Sequence, residues 1–183
     1  MVLLESLSLE LGSKMPPFSL QDPFLNKHHS TDLMGDNGLA IFFTCNHCPY
    51  AIAIWDRSLS FAKKAQNIGI NTVAINPNIN PAYPDDSPEA MKQKITSDNI
   101  IFPYLVDEKQ DIAQLYKAQC TPDIYLLKSD MSLFYHGRLD DNWQDPDAVS
   151  KEELWNAAEC LSTDKAAPQP QFPSMGCSIK WVN

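Results

Sequence analysis

Residues 39–48 read Leu-Ala-Ile-Phe-Phe-Thr-Cys-Asn-His-Cys, an apolar run that leads into two closely spaced cysteines. The apolar run 39–43 has the length and composition of a buried strand, and a pattern of apolar residues at helical spacing follows the second cysteine. A C-x-x-C motif between a strand and a helix is typical of thiol redox sites. The start of a helix also offers unpaired N–H groups and the positive end of the helix dipole, which both favour a thiolate.

The segments around this motif predict an α/β domain. The helix after the motif should run to about Asn67, and residues 70–75 read as the next buried strand, which completes a β-α-β unit. Ser87 followed by Pro88 predicts the start of a second helix. The predicted buried face of the first helix consists of Ile52, Trp55, Leu59 and Ala62, widened by Ile54, Phe61, Ala65 and Ile68. The other predicted elements are a strand in 3–11, an extended piece over 101–106, a short helix over 111–117, a hairpin from 123–127 and 133–136, and a last helix over 150–161.

The composition fits one compact domain that binds neither nucleic acid nor membrane. The chain has 183 residues, of which 44% are hydrophobic and 20% charged, so it is long enough to bury a core. A net charge of -9 disfavours binding to phosphate backbones and anionic lipid. We expect neither a membrane span nor a signal peptide, because no apolar stretch is long enough and the N-terminus lacks a basic region. The five cysteines do not suit a disulfide framework, and the expected compartment is the reducing cytoplasm.

Several strings of the sequence resemble one protein family. Gly12-x-x-x-Pro16-x-Phe18-x-Leu20 resembles the N-terminal extension of redoxins, and the element order around the C-x-x-C resembles the thioredoxin fold. Five further strings are Cys-Asn-His-Cys-Pro-Tyr at 45–50, Tyr-Pro-Asp-Asp-Ser-Pro-Glu at 83–89, Cys-Thr-Pro-Asp at 120–123, Gly-Arg-Leu-Asp-Asp at 137–141 and Gly-Cys-x-Ile-Lys-Trp at 176–181. Together they are similar to thioredoxin-like redoxin proteins related to the AhpC/TSA family.

This resemblance implies a thioredoxin-like α/β fold, with a central mixed sheet flanked by helices and a redoxin-type N-terminal extension. We expect the domain to span residues 1–165, followed by a Pro-rich, extended tail over 166–183 that docks on it. The resemblance also implies that Pro122 is cis and lies beside the C-x-x-C. The backbone of Thr121 would then be exposed for strand-like pairing with a substrate segment. We expect a monomer or a weak dimer.

The site residues follow from the motif and its neighbours. Cys45 is expected to be the more exposed, attacking thiolate, and Cys48 is expected to resolve the mixed disulfide. His47 is either a solvated surface histidine or a partner that lowers the pKa of Cys45. Cys120 and Cys177 are either small buried or idle thiols, or a third thiol close to the pair.

The leading functional hypothesis is thiol–disulfide oxidoreduction by Cys45 and Cys48. The expected partners are a protein or small molecule that carries a disulfide or dithiol, and an electron donor of thioredoxin or glutathione type. No cofactor or resident metal is expected. One alternative is a thiol-dependent peroxidase, although the Pro-x-x-x-Thr-x-x-Cys signature of peroxiredoxins is not met. The other is a soft-metal-binding protein that uses the pair with Cys120 and His47.

Overall fold

The structure, a computed structural model, describes residues 2–182. In chain order its strands are β1 (Leu3–Glu5), β2 (Ser19–Gln21), β3 (Lys27–His29), β4 (Gly38–Phe43), β5 (Ile70–Asn76), β6 (Tyr104–Val106), β7 (Cys120–Thr121), β8 (Asp123–Lys128), β9 (Leu133–Gly137) and β10 (Met175–Ser178). Its α-helices are α1 (Ser30–Leu33), α2 (Pro49–Gln66), α3 (Pro88–Ser97), α4 (Asp111–Tyr116) and α5 (Glu153–Ser162). No helix within residues 2–182 is long and apolar enough to cross a membrane.

The central sheet has seven strands in the order β3-β2-β6-β5-β4-β8-β9. The strand β4 pairs with β5 in parallel and with β8 in antiparallel orientation, so the sheet is mixed. Because α2 connects the parallel strands β4 and β5, the predicted β-α-β unit is confirmed. A second, three-stranded sheet has the order β1-β10-β7 and joins the two ends of the described chain.

Helices cover both faces of the central sheet, and the side chains of β4 identify the helices that pack on each face. Successive side chains of a strand point to opposite faces. Ala40 and Phe42 pack in one hydrophobic cluster with residues of α2, α3 and α5. Leu39, Ile41 and Phe43 pack in the other with residues of α4 and of the N-terminal segment. The carboxyl end of β4, where the motif begins, therefore emerges from between two packed layers.

The buried face of α2 is largely the predicted one, and Ile52 is the exception. Ile52 is 53% exposed, whereas Ile54, Phe61 and Ala65 are buried as predicted. Trp55 and Ala62 are buried as predicted, and Leu59 is partly buried. Ser58, which the pattern did not include, also lies on the buried face. Its hydroxyl donates to the carbonyl of Ile54 at 2.9 Å, which removes the cost of burying it.

Other element boundaries also shift. The strand predicted in 3–11 is confined to β1, and the last helix begins at Glu153, not at residue 150. The N–H groups of Ser150 and Lys151 donate to the Asp141 carboxylate at 2.9 and 3.1 Å, so they are satisfied outside a helix. The start of α3 is as predicted, because the Ser87 hydroxyl accepts from the N–H of Ala90 at 3.3 Å.

Candidate active site

The C-x-x-C motif lies where β4 passes into α2. The N–H of Thr44 donates to the carbonyl of Ile75 at 2.9 Å and extends the parallel pairing to the residue before Cys45. Cys48 is the N-cap residue of α2, and Pro49 is its first helical residue, where a missing N–H costs nothing. The carbonyl of Cys48 accepts from the N–H of Ile52 at 2.9 Å. The two cysteines are therefore held between a central strand and the positive end of an 18-residue helix.

Thr121 contacts both sulfurs of the motif. Its hydroxyl oxygen lies 3.2 Å from the sulfur of Cys45, and its carbonyl oxygen accepts from the thiol of Cys48 at 3.0 Å. The peptide bond from Thr121 to Pro122 is cis. The structure thus brings together four residues that the sequence singled out, although the two pairs are more than 70 positions apart in the chain.

Both thiols of the motif are buried. Cys45 is 1% exposed and Cys48 is fully buried, so the expected exposure of Cys45 is not found. The backbone of Thr121 is not open for pairing either, because β10 already pairs with β7 in antiparallel orientation and places Cys177 opposite Thr121. Cys177 packs with the two motif cysteines in one cluster. The site is therefore closed by a strand of the C-terminal tail.

The two thiols of the motif titrate as a coupled pair. Burial, followed by a hydrogen bond to Cys48 and the charge of Asp86, raises the pKa of Cys45 well above its ordinary value. The hydrogen bond from Cys45 lowers the pKa of Cys48, and further hydrogen bonds from Cys177 and the N–H of Ala51 act in the same direction. The expected lowering of the Cys45 pKa is thus not found in the closed site. Cys48 is therefore the first of the two thiols to ionise, because its sulfur accepts the hydrogen bonds from Cys45, Cys177 and the N–H of Ala51.

Asp86 fixes the two residues between the cysteines, and sequence reasoning assigned it no role. Its buried carboxylate accepts from the N–H of Asn46 at 2.6 Å and from the amide of Asn76 at 3.3 Å, and it pairs with Nδ1 of His47. Asp86 belongs to the Tyr-Pro-Asp-Asp-Ser-Pro-Glu string, which contributed to the resemblance without a function. That string was the signal that could have found it.

His47 is held on two sides. Asp86 accepts from its Nδ1, and the ring of Tyr83 stacks on it with centroids 4.7 Å apart. Its Nε2 is buried and has no hydrogen-bond partner within residues 2–182. A carboxylate only accepts, so the proton of the neutral ring lies on Nδ1 and Nε2 is left as a buried acceptor. The imidazole is therefore neither solvated nor hydrogen-bonded to Cys45 in the closed site.

Cys120 lies near the pair without joining it. Its thiol donates to the carbonyl of Pro122 at 3.5 Å, and it lies outside the cluster that holds the motif cysteines. Burial raises the pKa of Cys120 far above its ordinary value, which keeps it a thiol. The buried carboxylate of Asp123 nearby pairs with Nε2 of His136 at 2.8 Å. In the described chain Cys120 thus behaves as a small buried hydrophobe.

One group of side chains has the donor set for a metal ion. The ligand atoms of Cys45, His47 and Asp86 lie within 4.8 Å of one another, and a thiolate, an imidazole and a carboxylate together suit zinc and related divalent ions. This set differs from the one expected from the sequence, which combined Cys45, Cys48 and Cys120 with His47 and did not include Asp86. In the closed site the His47–Asp86 hydrogen bond occupies two of the three groups.

The comparisons with known proteins assign the family. The model of the AhpC/TSA family matches residues 11–136, which is more than half of the chain. The chain belongs to the AhpC/TSA family. This membership supports a redoxin-type thiol redox function at the level of the family. The comparison with curated proteins returned no match.

Two solved structures resemble the chain over almost its whole length. An uncharacterized conserved protein from Geobacillus kaustophilus is 37% identical with a TM-score of 0.93, over 100% of this chain and 97% of its own. A hypothetical protein from Sinorhizobium meliloti 1021 is 31% identical with a TM-score of 0.90, over 97% of this chain and 98% of its own. The thioredoxin domain of a thiol-disulfide oxidoreductase from Bacteroides vulgatus is 16% identical with a TM-score of 0.64, over 85% and 99%. The expected thioredoxin-like fold is confirmed.

Proposed function

We propose that this redoxin is a thiol–disulfide oxidoreductase that works through the dithiol and disulfide forms of Cys45 and Cys48. The observation that carries the proposal is the contact of Thr121 with both sulfurs at the start of α2. Two thiols that share one residue's hydroxyl and carbonyl, and a hydrogen bond with each other, are close enough to exchange a proton. The AhpC/TSA family assignment supports chemistry of this class.

The proton shared by the pair gives each cysteine its role. When the proton lies on Cys48, this thiol donates to the Thr121 carbonyl, and the charge lies on Cys45, which accepts from the Thr121 hydroxyl. Cys45 is then a nucleophile although the resting charge lies on Cys48. The nearby imidazole of His47 is a second acceptor for a proton during this step.

The exchange takes place in two steps. Cys45 attacks one sulfur of a substrate disulfide, so that a Cys45–substrate bond forms, the substrate disulfide breaks, and the departing sulfur leaves as a thiolate that takes up a proton. Cys48 then loses its proton and attacks the sulfur of Cys45. The Cys45–Cys48 disulfide forms, and the second substrate sulfur leaves as a thiol. Two electrons have passed from the pair to the substrate.

The proposed partners follow from this chemistry. The substrate is a protein or a small molecule that carries a disulfide or, for the reverse reaction, a dithiol. A donor of thioredoxin or glutathione type returns two electrons to the Cys45–Cys48 disulfide.

An insulin reduction assay tests the proposal. The wild-type protein should accelerate the reduction of insulin disulfides by dithiothreitol, and Cys45→Ser and Cys48→Ser should each abolish the acceleration. Cys160→Ser is the matched control, because Cys160 lies on α5 and packs against the core away from the pair. Activity that survives in both motif variants would contradict the proposal. So would a fast loss of one thiol with hydrogen peroxide and no reaction with disulfides.

The three-ligand set favours a second candidate function, which is the binding of a divalent metal by Cys45, His47 and Asp86. The buried Nε2 of His47, which has no partner among the described residues, is the observation that favours it. Elemental analysis of protein purified under reducing conditions tests it. Stoichiometric zinc or copper that is lost in His47→Ala would support metal binding, and protein without metal would contradict it.

A further inference from the structure

The tail strand β10 occupies the edge of β7 next to the cis proline. Cys177 lies opposite Thr121 and Ser178 opposite Cys120 in this antiparallel pair. The approach is so close at Gly176 that a Cβ atom there would lie 2.0 Å from the carbonyl oxygen of Thr121. Only glycine fits at this position, because backbone atoms face it and cannot move aside like a flexible side chain.

Hydrogen bonds on both sides of Cys177 hold the strand in this place. Before it, the Ser174 hydroxyl donates to the carbonyl of Gly137 at 2.7 Å. After it, the N–H of Ile179 donates to the carbonyl of Gln119 at 3.0 Å, and the N–H of Lys180 donates to the side chain of Asn78 at 2.8 Å. The strand that carries Cys177 is therefore already fixed beside the motif cysteines, and no ordering of the tail is needed to bring Cys177 there.

Cys177 contacts the sulfur of Cys48 directly. Both its side chain and its backbone N–H form hydrogen bonds with that sulfur. Cys45 approaches the same sulfur, so Cys48 lies between two thiols. A cysteine that only fills space does not direct its polar groups at a reactive sulfur. The sulfur of Cys177 is therefore in contact with the sulfur that it would attack in a disulfide that contains Cys48.

We propose that Cys177 is a third redox thiol of the site, which exchanges with the Cys45–Cys48 disulfide at the sulfur of Cys48. This inference rests on the proposed function. Cys177 gives up its proton and its sulfur attacks the sulfur of Cys48, a Cys48–Cys177 bond forms, and the Cys45–Cys48 bond breaks. The electron pair leaves on Cys45, which takes up the proton that Cys177 lost. The exchange needs no external oxidant, and it moves the disulfide to the tail while Cys45 returns to a thiol.

The chain allows a direct test, because trypsin separates the cysteines. Cys45 and Cys48 share the peptide 28–57, whereas Cys120, Cys160 and Cys177 lie in peptides 118–128, 152–165 and 166–180. Full-length Cys45→Ser protein is treated with oxidised glutathione, quenched in acid, alkylated and digested. Glutathione first forms a mixed disulfide with Cys48. Cys177 should then displace glutathione and link peptide 28–57 to peptide 166–180.

The matched control is Cys45→Ser combined with Cys177→Ala, in which the glutathione adduct of peptide 28–57 should persist. Two results would overturn the inference. In the first, the glutathione adduct persists in Cys45→Ser to the same extent as in the double variant, and peptide 166–180 is found alkylated. In the second, peptide 28–57 is linked to peptide 118–128 instead of to peptide 166–180. Cys45→Ala provides a second background in case serine perturbs the fold, and the same link is expected in it.

Failure of the proposed function is distinguishable in the wild-type protein. If the wild-type protein forms a disulfide within peptide 28–57 but Cys45→Ser forms no link between peptides 28–57 and 166–180, only the role of Cys177 is overturned. Absence of a disulfide within peptide 28–57 and of insulin reduction overturns the proposed function itself.

Discussion

The carbonyl oxygen of Thr121 lies 3.0 Å from the sulfur of Cys48, while the hydroxyl of the same residue lies 3.2 Å from the sulfur of Cys45. One residue therefore offers an acceptor to one thiol and a donor to the other. This division stabilises the state with the proton on Cys48 and the charge on Cys45. The hydrogen bonds from Cys177 and Ala51 stabilise the opposite state. The balance between the two sets determines which sulfur is the nucleophile.

The Thr121 hydroxyl should support the reactivity of Cys45. It lowers the pKa of Cys45 against the larger effect of burial, so Thr121→Val should raise that pKa. We expect insulin reduction to slow about fivefold, which corresponds to about 1 kcal/mol for one lost hydrogen bond. Thr72→Val is the matched control, because its buried hydroxyl has no hydrogen-bond partner among the described residues. Equal losses in both variants would show that Thr121 acts only through packing.

Cys177 should keep the thiolate on Cys48. Its hydrogen bond lowers the pKa of Cys48, so Cys177→Ala should raise that pKa by about 1 to 2 units, the range for a hydrogen bond to a charged group. The measurement is the thiolate absorbance near 240 nm as a function of pH. In the variant the absorbance should appear at higher pH than in the wild type. Cys160→Ala is the control and should leave the low-pH part of the curve, which reports Cys48, unchanged. A low-pH part in Cys177→Ala that superimposes on that of the wild type would refute the prediction.

Gly176 should control access to the thiols. A Cβ at this position collides with the carbonyl of Thr121, so Gly176→Ala should displace β10 and cost about 1–3 kcal/mol of folding stability. We expect iodoacetamide to alkylate Cys45 and Cys48 faster in the folded variant than in the wild type. Ser178→Ala, on the same strand, is the control, and in this variant Cys45 and Cys48 should be alkylated at the wild-type rate. Unchanged alkylation in Gly176→Ala would mean that β10 does not close the site.

Asp86 should oppose ionisation of Cys45. Its charge contributes to the raised pKa of that thiol, so Asp86→Asn should lower the pKa and shift the alkylation of Cys45 to lower pH. The asparagine keeps an oxygen for the N–H of Asn46, so the loop retains that contact. Asp85→Asn is the matched control, because Asp85 is exposed. A shift of the same size in both variants, or a shift to higher pH, would contradict the assignment.

The sequence predicted the elements that depend on local patterns. The apolar run of β4 and the periodicity of α2 made their positions evident, as did Ser87 and Pro88 at the start of α3. On α2 the pattern predicted Ile52 to be buried and omitted Ser58, which lies on the buried face because its hydroxyl donates to the carbonyl of Ile54. Local periodicity does not report such compensation.

The sequence identified the two cysteines of the site, but it did not predict their burial or the charged residue beside them. Cys45 and Cys48 stand in one motif, whereas Asp86 contacts Asn46 across 40 positions of chain. Asp86 is buried by contacts with residues that are distant in the sequence, and no local sequence pattern indicates this burial. The pKa of Cys45 was misjudged for this reason, because burial and Asp86 oppose the effect of the helix start. The pairing of Cys177 with Thr121 is likewise a tertiary contact.

The redox role of Cys45 and Cys48 is tested most directly by a redox titration of wild-type protein against glutathione buffers, with acid quenching, alkylation and mass analysis of peptide 28–57. We expect a disulfide between Cys45 and Cys48 to replace two alkylated thiols in one two-electron transition as the buffer becomes more oxidising. The contradicting result is a peptide that keeps two alkylated thiols, or gains only glutathione adducts, across the whole range of buffers.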